Sequence, residues 1–242
     1  MPILQALAGV FEVTGVITQP DRPAGRGRGL RPPPVKLAAQ ALGLPVLQPA
    51  NPHSPEVLSQ LAAWGPEVIV VAAYGRILRP QLLELPPRGC VNVHASLLPR
   101  WRGASPIQSA ILAGDSVTGV TIMLMDAGMD TGPILAQHET PISEMDTGGR
   151  LSDRLSQIGA DLLLRTLPEY LGGRLAPHPQ DSMKAASTRP LTKEDGALDP
   201  LEPADALARR VRAFDPWPGT YLNWEGRRIG ILQAAAVASG SG

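Results

Sequence analysis

Asn92 and His94 stand two apart in the apolar run CVNVHAS (90 to 96), and Asp126 and Asp130 stand in the glycine-bearing turn MDAGMDTG (125 to 132). Residues two apart in a strand share a face, so the amide and the imidazole project together. They do so at the carboxyl end of their strand, the end at which open α/β sheets bind ligands. An amide offers a neutral donor to a developing oxyanion, and imidazole exchanges a proton near neutral pH, which suits the pair to acyl transfer. A carboxylate completes the set by orienting the imidazole and favouring its charged form. Spacing alone leaves Asp126 and Asp130 equally available for that part. Each residue taken singly also has a purely structural use: an amide bonded to a loop, a histidine satisfied in the core, aspartates in a turn.

The elements that must hold these residues follow from pattern. FEVTGVIT (11 to 18) is rich in β-branched residues and stops at Gln19-Pro20, which predicts a strand preceded by a short helix over MPILQALAG. EVIVVAAYG (67 to 75) and CVNVHAS are continuous apolar runs, as parallel strands buried on both faces require. Helical patterns separate them in PPVKLAAQALG, PEVLSQLAAWG and PQLLELPPRG, so the chain is expected to form an α/β sheet with crossover helices. Ser105 is placed to cap, Pro106 to open and Gly114 to stop the next helix. GVTIMLM (119 to 125) and ILAQHETPI (134 to 142) then read as a hairpin.

A long helix from Gly148 ends at Gly172-Gly173, which gives a first domain over 1–172. Residues 173–190 lack apolar periodicity and read as a linker. Residues 191–242 hold a helix, EPADALARRVRAF, and a hairpin turning at Glu225-Gly226. DPWPG (215 to 219) reads as a rigid turn burying Trp217.

The chain of 242 residues is 43% hydrophobic, enough for one full core and a smaller second unit. Zero formal charge excludes a whole-chain field for polyanions, so a nucleic acid would have to be met by a local patch. The single cysteine, Cys90, excludes an internal disulfide and fits a reducing compartment, hence a cytoplasmic protein. No run approaches the length of a membrane span, and the scattered His53, His138 and His178 give no metal-ligand spacing. No metal and no membrane association are expected. TQPDRPAGRGRGLRPPP (18 to 34), rich in Pro, Gly and Arg, is expected to form no regular element and to serve as a functional or mobile loop.

NVHASLLPRWRGASPIQSAILAG followed by GVTIMLMDAGMDTG resembles the active-site region of the folate-dependent formyltransferases. TQPDRPAGRGRGL and RAFDPWPG narrow the resemblance to the methionyl-tRNA formyltransferase family, over nearly the whole chain. The resemblance implies a Rossmann-like, mostly parallel sheet with flanking helices and a C-terminal β-barrel-like domain that helps hold tRNA and is incomplete here. It implies that Asn92, His94 and Asp130 are catalytic, that Ser96, Leu97, Leu98 and Pro99 form the folate-binding loop, and that Arg26 reaches the tRNA. Arg100 and Arg102 are assigned to the folate's carboxylates. The implied reaction moves a formyl group from 10-formyltetrahydrofolate to methionine on initiator tRNA, by a monomer. The resemblance further implies a strand and a GTPxFA loop ahead of Met1 and more strands after residue 242, so that the chain is expected to be truncated at both ends. Two other readings compete: an enzyme formylating a sugar nucleotide or glycinamide nucleotide, or hydrolysing the cofactor, and an inactive fragment.

Overall fold

The computed structural model describes residues 1–24 and 29–237. The chain folds into two compact units. The first comprises Met1–His94, Thr121–Gln137 and Ser156–Gln180, and the second Ala95–Val120, His138–Leu155 and Asp181–Gly242.

In chain order the elements are α1 (Pro2–Ala8), β1 (Val16–Ile17), β2 (Arg22–Ala24), β3 (Gly29–Arg31), α2 (Pro34–Ala41), β4 (Val46–Leu47), α3 (Pro55–Trp64), β5 (Ile69–Val71), α4 (Pro80–Leu83), β6 (Cys90–His94), β7 (Arg102–Gly103), α5 (Pro106–Ala113), β8 (Val117–Leu124), β9 (Ile134–Pro141), α6 (Gly148–Leu171), β10 (Ser187–Thr188), α7 (Ala204–Ala213), β11 (Thr220–Trp224) and β12 (Arg227–Ile231). The main sheet has the order β5-β6-β8-β9, with β5 and β6 parallel and β6 antiparallel to β8. A separate parallel pair joins β1 to β4.

The helices start and stop where their chemistry directs. Pro55 opens α3 behind Ser54, whose Oγ accepts from Val57 N–H, and Gly65 ends it in the left-handed conformation at φ 59°. Leu61 of α3 is buried with Leu78, Leu82, Leu83 and Cys90, and Ile17, Ile69 and Val71 pack against that cluster. Each leucine so buried contributes about 1.5–3 kcal/mol. Burial pushes the Cys90 thiol up to about 12, as an inert core cysteine requires.

Several expectations are corrected in detail. The strand predicted over 11–18 is confined to Val16–Ile17. The strand predicted over 67–75 stops at Val71, because the chain already turns through positive φ at Ala73 before reaching Gly75. Residues 18–34 are not wholly irregular: β2 and β3 pair antiparallel, with Arg22 opposite Arg31 and Pro23 opposite Leu30. A short ladder needs no apolar periodicity when neither face is packed, so the sequence carries no alternation to reveal it.

In the second unit, β7 and β10 pair in parallel, so the segment expected to be a linker supplies a strand. Ser105 stands at the start of α5 but does not cap it. Its Oγ donates instead to Arg189 O at 2.7 Å, while its N–H donates to Thr188 Oγ1 at 3.0 Å. The predicted hairpin is present as β11 and β12, turning at Glu225 (φ 46°) and Gly226 (φ 76°). Among the described residues no barrel is closed. Trp217 is not buried: it is half exposed, and the DPWPG turn is anchored by Phe214, by Gly149 N–H donating to Asp215 O at 2.8 Å and by Gly219 N–H donating to Phe214 O.

Candidate active site

Strand β6 is paired on both sides, which fixes the direction of its side chains. Asn92 lies opposite Val71 of β5 and Met123 of β8, and His94 lies opposite Thr121 of β8. Both side chains are buried, at 9% and 6% exposure. A buried amide and imidazole at the end of a strand need polar partners.

Asp130 provides them. Its Oδ1 accepts from Asn92 Nδ2 at 3.4 Å, and its Oδ2 lies 3.6 Å from His94 Nδ1. The second distance exceeds that of a closed hydrogen bond.

The turn explains why this aspartate is the one that faces the pair. Asp126 is engaged by the turn itself, its Oδ1 accepting from Gly128 N–H at 3.0 Å and from Thr131 Oγ1 at 2.7 Å. Asp130 takes the left-handed conformation at φ 54°, which Asp tolerates better than most residues. A Cβ on Gly132 would strike the Leu124 carbonyl, so the glycine allows the chain to fold back against β8.

Gln180 adds a contact that no sequence motif announces. Its Nε2 donates to Asp130 O at 2.8 Å and to Gly132 O at 2.7 Å, clamping the turn from both sides of Thr131. It sits in the aperiodic segment 173–190, where pattern carries no signal.

The loop after β6 is held internally. Ser96 is fully buried and its Oγ donates to Arg100 O at 2.6 Å, while Leu98 is 3% exposed. Leu97 and Pro99 are half-buried, and Pro99 O accepts from Ala186 N–H at 3.2 Å. Arg100 is committed to Asp115 through Nε at 3.0 Å and Nη2 at 2.7 Å, and it lies 4.1 Å over the Trp101 ring. Trp101 Nε1 donates to the same carboxylate at 2.8 Å. Burial raises the Asp115 carboxyl, but the bonds from Arg100 and Trp101 outweigh it and hold the group below its ordinary value. Arg26 lies outside the described residues.

Among the described residues no three His, Cys, Asp or Glu side chains gather as metal ligands, and no helix is long and apolar enough to cross a membrane. What the cluster of amide, imidazole and carboxylate can do is donate to an oxyanion and move a proton between nitrogens.

Comparison with known proteins bears on which acyl group that is. The pattern of the family described as "Formyl transferase" matches residues 4–167, and that of "Formyl transferase, C-terminal domain" matches residues 190–242. A methionyl-tRNA formyltransferase of Chloroflexus aurantiacus is 54% identical over 99% of this chain and 77% of its own length. One from Halorhodospira halophila is 55% identical over 98% of this chain and 77% of its own. Among solved structures, methionyl-tRNA formyltransferase from Clostridium thermocellum superposes with a TM-score of 0.63 at 19% identity, over 82% of this chain and 83% of that one, which supports the Rossmann-like α/β fold. On these matches and the site they span, the chain belongs to the formyl transferase family, among its methionyl-tRNA formyltransferases.

Proposed function

We propose that this chain transfers the formyl group of 10-formyltetrahydrofolate to the α-amino group of methionine carried on initiator tRNA, as a cytoplasmic monomer. The single observation that carries the reading is the Asp130 carboxylate, set 3.4 Å from the Asn92 amide and 3.6 Å from the His94 imidazole in a chain of this family. Folate-derived donors are what the family uses, and the names of the relatives at 54% and 55% identity favour methionyl-tRNA over a sugar or nucleotide acceptor.

The amine's lone pair attacks the formyl carbon, and the carbonyl pair moves to oxygen. Asn92 has two amide hydrogens. One is used toward Asp130, and the other is assigned to the oxyanion. His94 turns Nδ1 toward Asp130, which assigns Nε2 to the substrate side. Collapse breaks the bond from carbon to the folate nitrogen, which keeps the electron pair and takes a proton, while the attacking nitrogen loses one. Asp130 orients the imidazole and supports its charged form as that proton passes.

Ser96, Leu97, Leu98 and Pro99 are assigned to the folate. Ser96 and Leu98 shape the loop from within, which leaves its backbone and the half-buried Leu97 and Pro99 to meet the heterocycle. Arg26 and the segment 191–242, beyond the boundary at 173–190, are assigned to tRNA. The reading is tested by supplying 10-formyltetrahydrofolate with charged initiator tRNA and, separately, with an amino-sugar nucleotide. Formylmethionyl-tRNA in the first vessel alone is expected, and product in the second alone would overturn it.

A further inference from the structure

Asp130 Oδ2 lies 3.6 Å from His94 Nδ1, and a contact of that length does not by itself fix the rotation of a ring whose χ2 well is broad. What stands beside the ring is set by the sheet. β6 and β8 run antiparallel with Asn92 opposite Met123 and His94 opposite Thr121, and opposed residues share a face with Cβ atoms about 4.5–5.5 Å apart. Met123 and Thr121 are 1% and 0% exposed. Met123 serves the Asn92 side by packing, because its Cε stands 3.2 Å from where a Cβ on Gly132 would lie and so reaches the turn that carries Asp130.

Thr121 is the polar one. Its neighbours Val120, Ile122 and Met123 in β8 are buried and apolar, and packing alone would be met by valine, which has the same shape and no hydroxyl to satisfy. The hydroxyl is served instead from the adjacent strand: Gln137 of β9 reaches in from an exposed position, and its Nε2 donates to Thr121 Oγ1 at 2.9 Å. Ordering a glutamine side chain costs about as much as one neutral hydrogen bond returns, so the pair adds little to stability. Its effect is on geometry. A β-branched side chain is stiff at χ1, and a bond on Oγ1 selects one rotamer, so Gln137 fixes which branch of Thr121 faces the imidazole. Because Oγ1 accepts from Gln137, the hydroxyl turns its own hydrogen away from that amide. His94, Thr121 and Gln137 thus form a row across three adjacent strands, all within the first unit.

We infer that Thr121, held by Gln137, is a positioning residue for His94, fixing the rotation of the imidazole so that Nδ1 stays turned toward Asp130. This deepens the function proposed above and rests on it for the reaction that His94 serves.

The test uses the full chain and reads turnover and the ring separately. In Q137A and T121V, kcat for formyl transfer is expected to fall about threefold to tenfold, the cost of a slightly misplaced group, with KM for the formyl donor and Tm at the parent values. Folding is spared in both, since Gln137 is on the surface and T121V buries no unsatisfied group once the freed amide turns to water. T121S keeps the hydroxyl and should recover most of what T121V loses. The double variant T121V/Q137A should fall no further than T121V, because Gln137 acts through Thr121. In nitrogen NMR the ring signals of His94, identified as those that H94A removes, should shift or broaden in Q137A and T121V and return in T121S. Either parental kcat or parental His94 signals in both Q137A and T121V would overturn the proposal, as would additive losses in the double variant or a T121S as impaired as T121V. A parent chain that transfers no formyl group from 10-formyltetrahydrofolate would remove the functional reading, while the His94 signals would still decide whether Thr121 and Gln137 hold the ring.

Discussion

His94 Nδ1 lies 3.6 Å from Asp130 Oδ2 across a turn that places the aspartate at φ 54°. Strand pairing holds the imidazole, while a strained backbone, clamped by Gln180, holds the carboxylate. Local strain of this kind persists only where the surroundings enforce it, and here what it delivers is a charge beside the imidazole.

Asp130→Asn separates charge from shape. Asn tolerates the left-handed conformation about as well as Asp, so the variant should unfold at the parent's temperature while turnover falls about 10²-fold to 10⁴-fold. Asp130→Ala should lose activity as well and should also lose about 1 kcal/mol of stability, since Ala is more strained at positive φ. Single-turnover rates and thermal melts of the pair check this, and an active Asp130→Asn would remove the carboxylate from the chemistry.

Removing Asn92 or His94 should act on the chemical step. One oxyanion donor contributes about 10²-fold to 10³-fold in turnover, so Asn92→Ala should fall in that range with folate affinity retained. His94→Ala should lose at least as much, because charge stabilisation and proton transfer share the side chain. Near-parental turnover in either variant would take that residue out of the mechanism.

Gln180→Ala releases the two carbonyls on either side of Thr131. Each lost bond costs about 1 kcal/mol, and the freed turn should lower kcat roughly tenfold by letting Asp130 drift from His94. The KM for the formyl donor should stay at the parent value, a split that a general loss of folding would not give.

Much of this site is legible in the sequence because strands have a strict period. Once CVNVHAS is a strand, Asn92 and His94 must share a face, and they do. The choice between Asp126 and Asp130 is not legible from spacing, because it depends on which carboxylate the turn consumes for its own hydrogen bonds. Gln180 is invisible for a different reason: its two bonds are made across 50 and 48 positions of chain from a segment without periodicity. The same holds for β2 and β3, whose pairing sets Arg22 against Arg31 with no packed face to imprint a pattern. Trp217 shows the converse error, where a large aromatic in a proline-rich turn is expected inside although neighbouring backbone bonds and Phe214 already secure that turn.

Acid stability should depend on Asp146. Both its oxygens are bonded by Arg154, at 2.8 and 2.7 Å, and one also accepts from Ser143 N–H at 2.8 Å, at a position only 5% exposed. The bonds from Arg154 hold the carboxyl below its ordinary 3.8 against the opposing effect of burial. As pH falls, the unfolded chain therefore takes up this proton before the folded chain does. The stabilisation is complete above roughly pH 5 and is lost as pH drops through the ordinary carboxylate value toward the depressed one. Asp146→Asn cannot offer Arg154 a charged acceptor on both atoms and should cost about 2 kcal/mol at neutral pH. It should also flatten the acid limb of stability against pH, so that parent and variant converge as the acid is titrated. Urea unfolding at a series of pH values measures both effects, and parallel curves with a constant offset would show that Asp146 contributes packing without its charge.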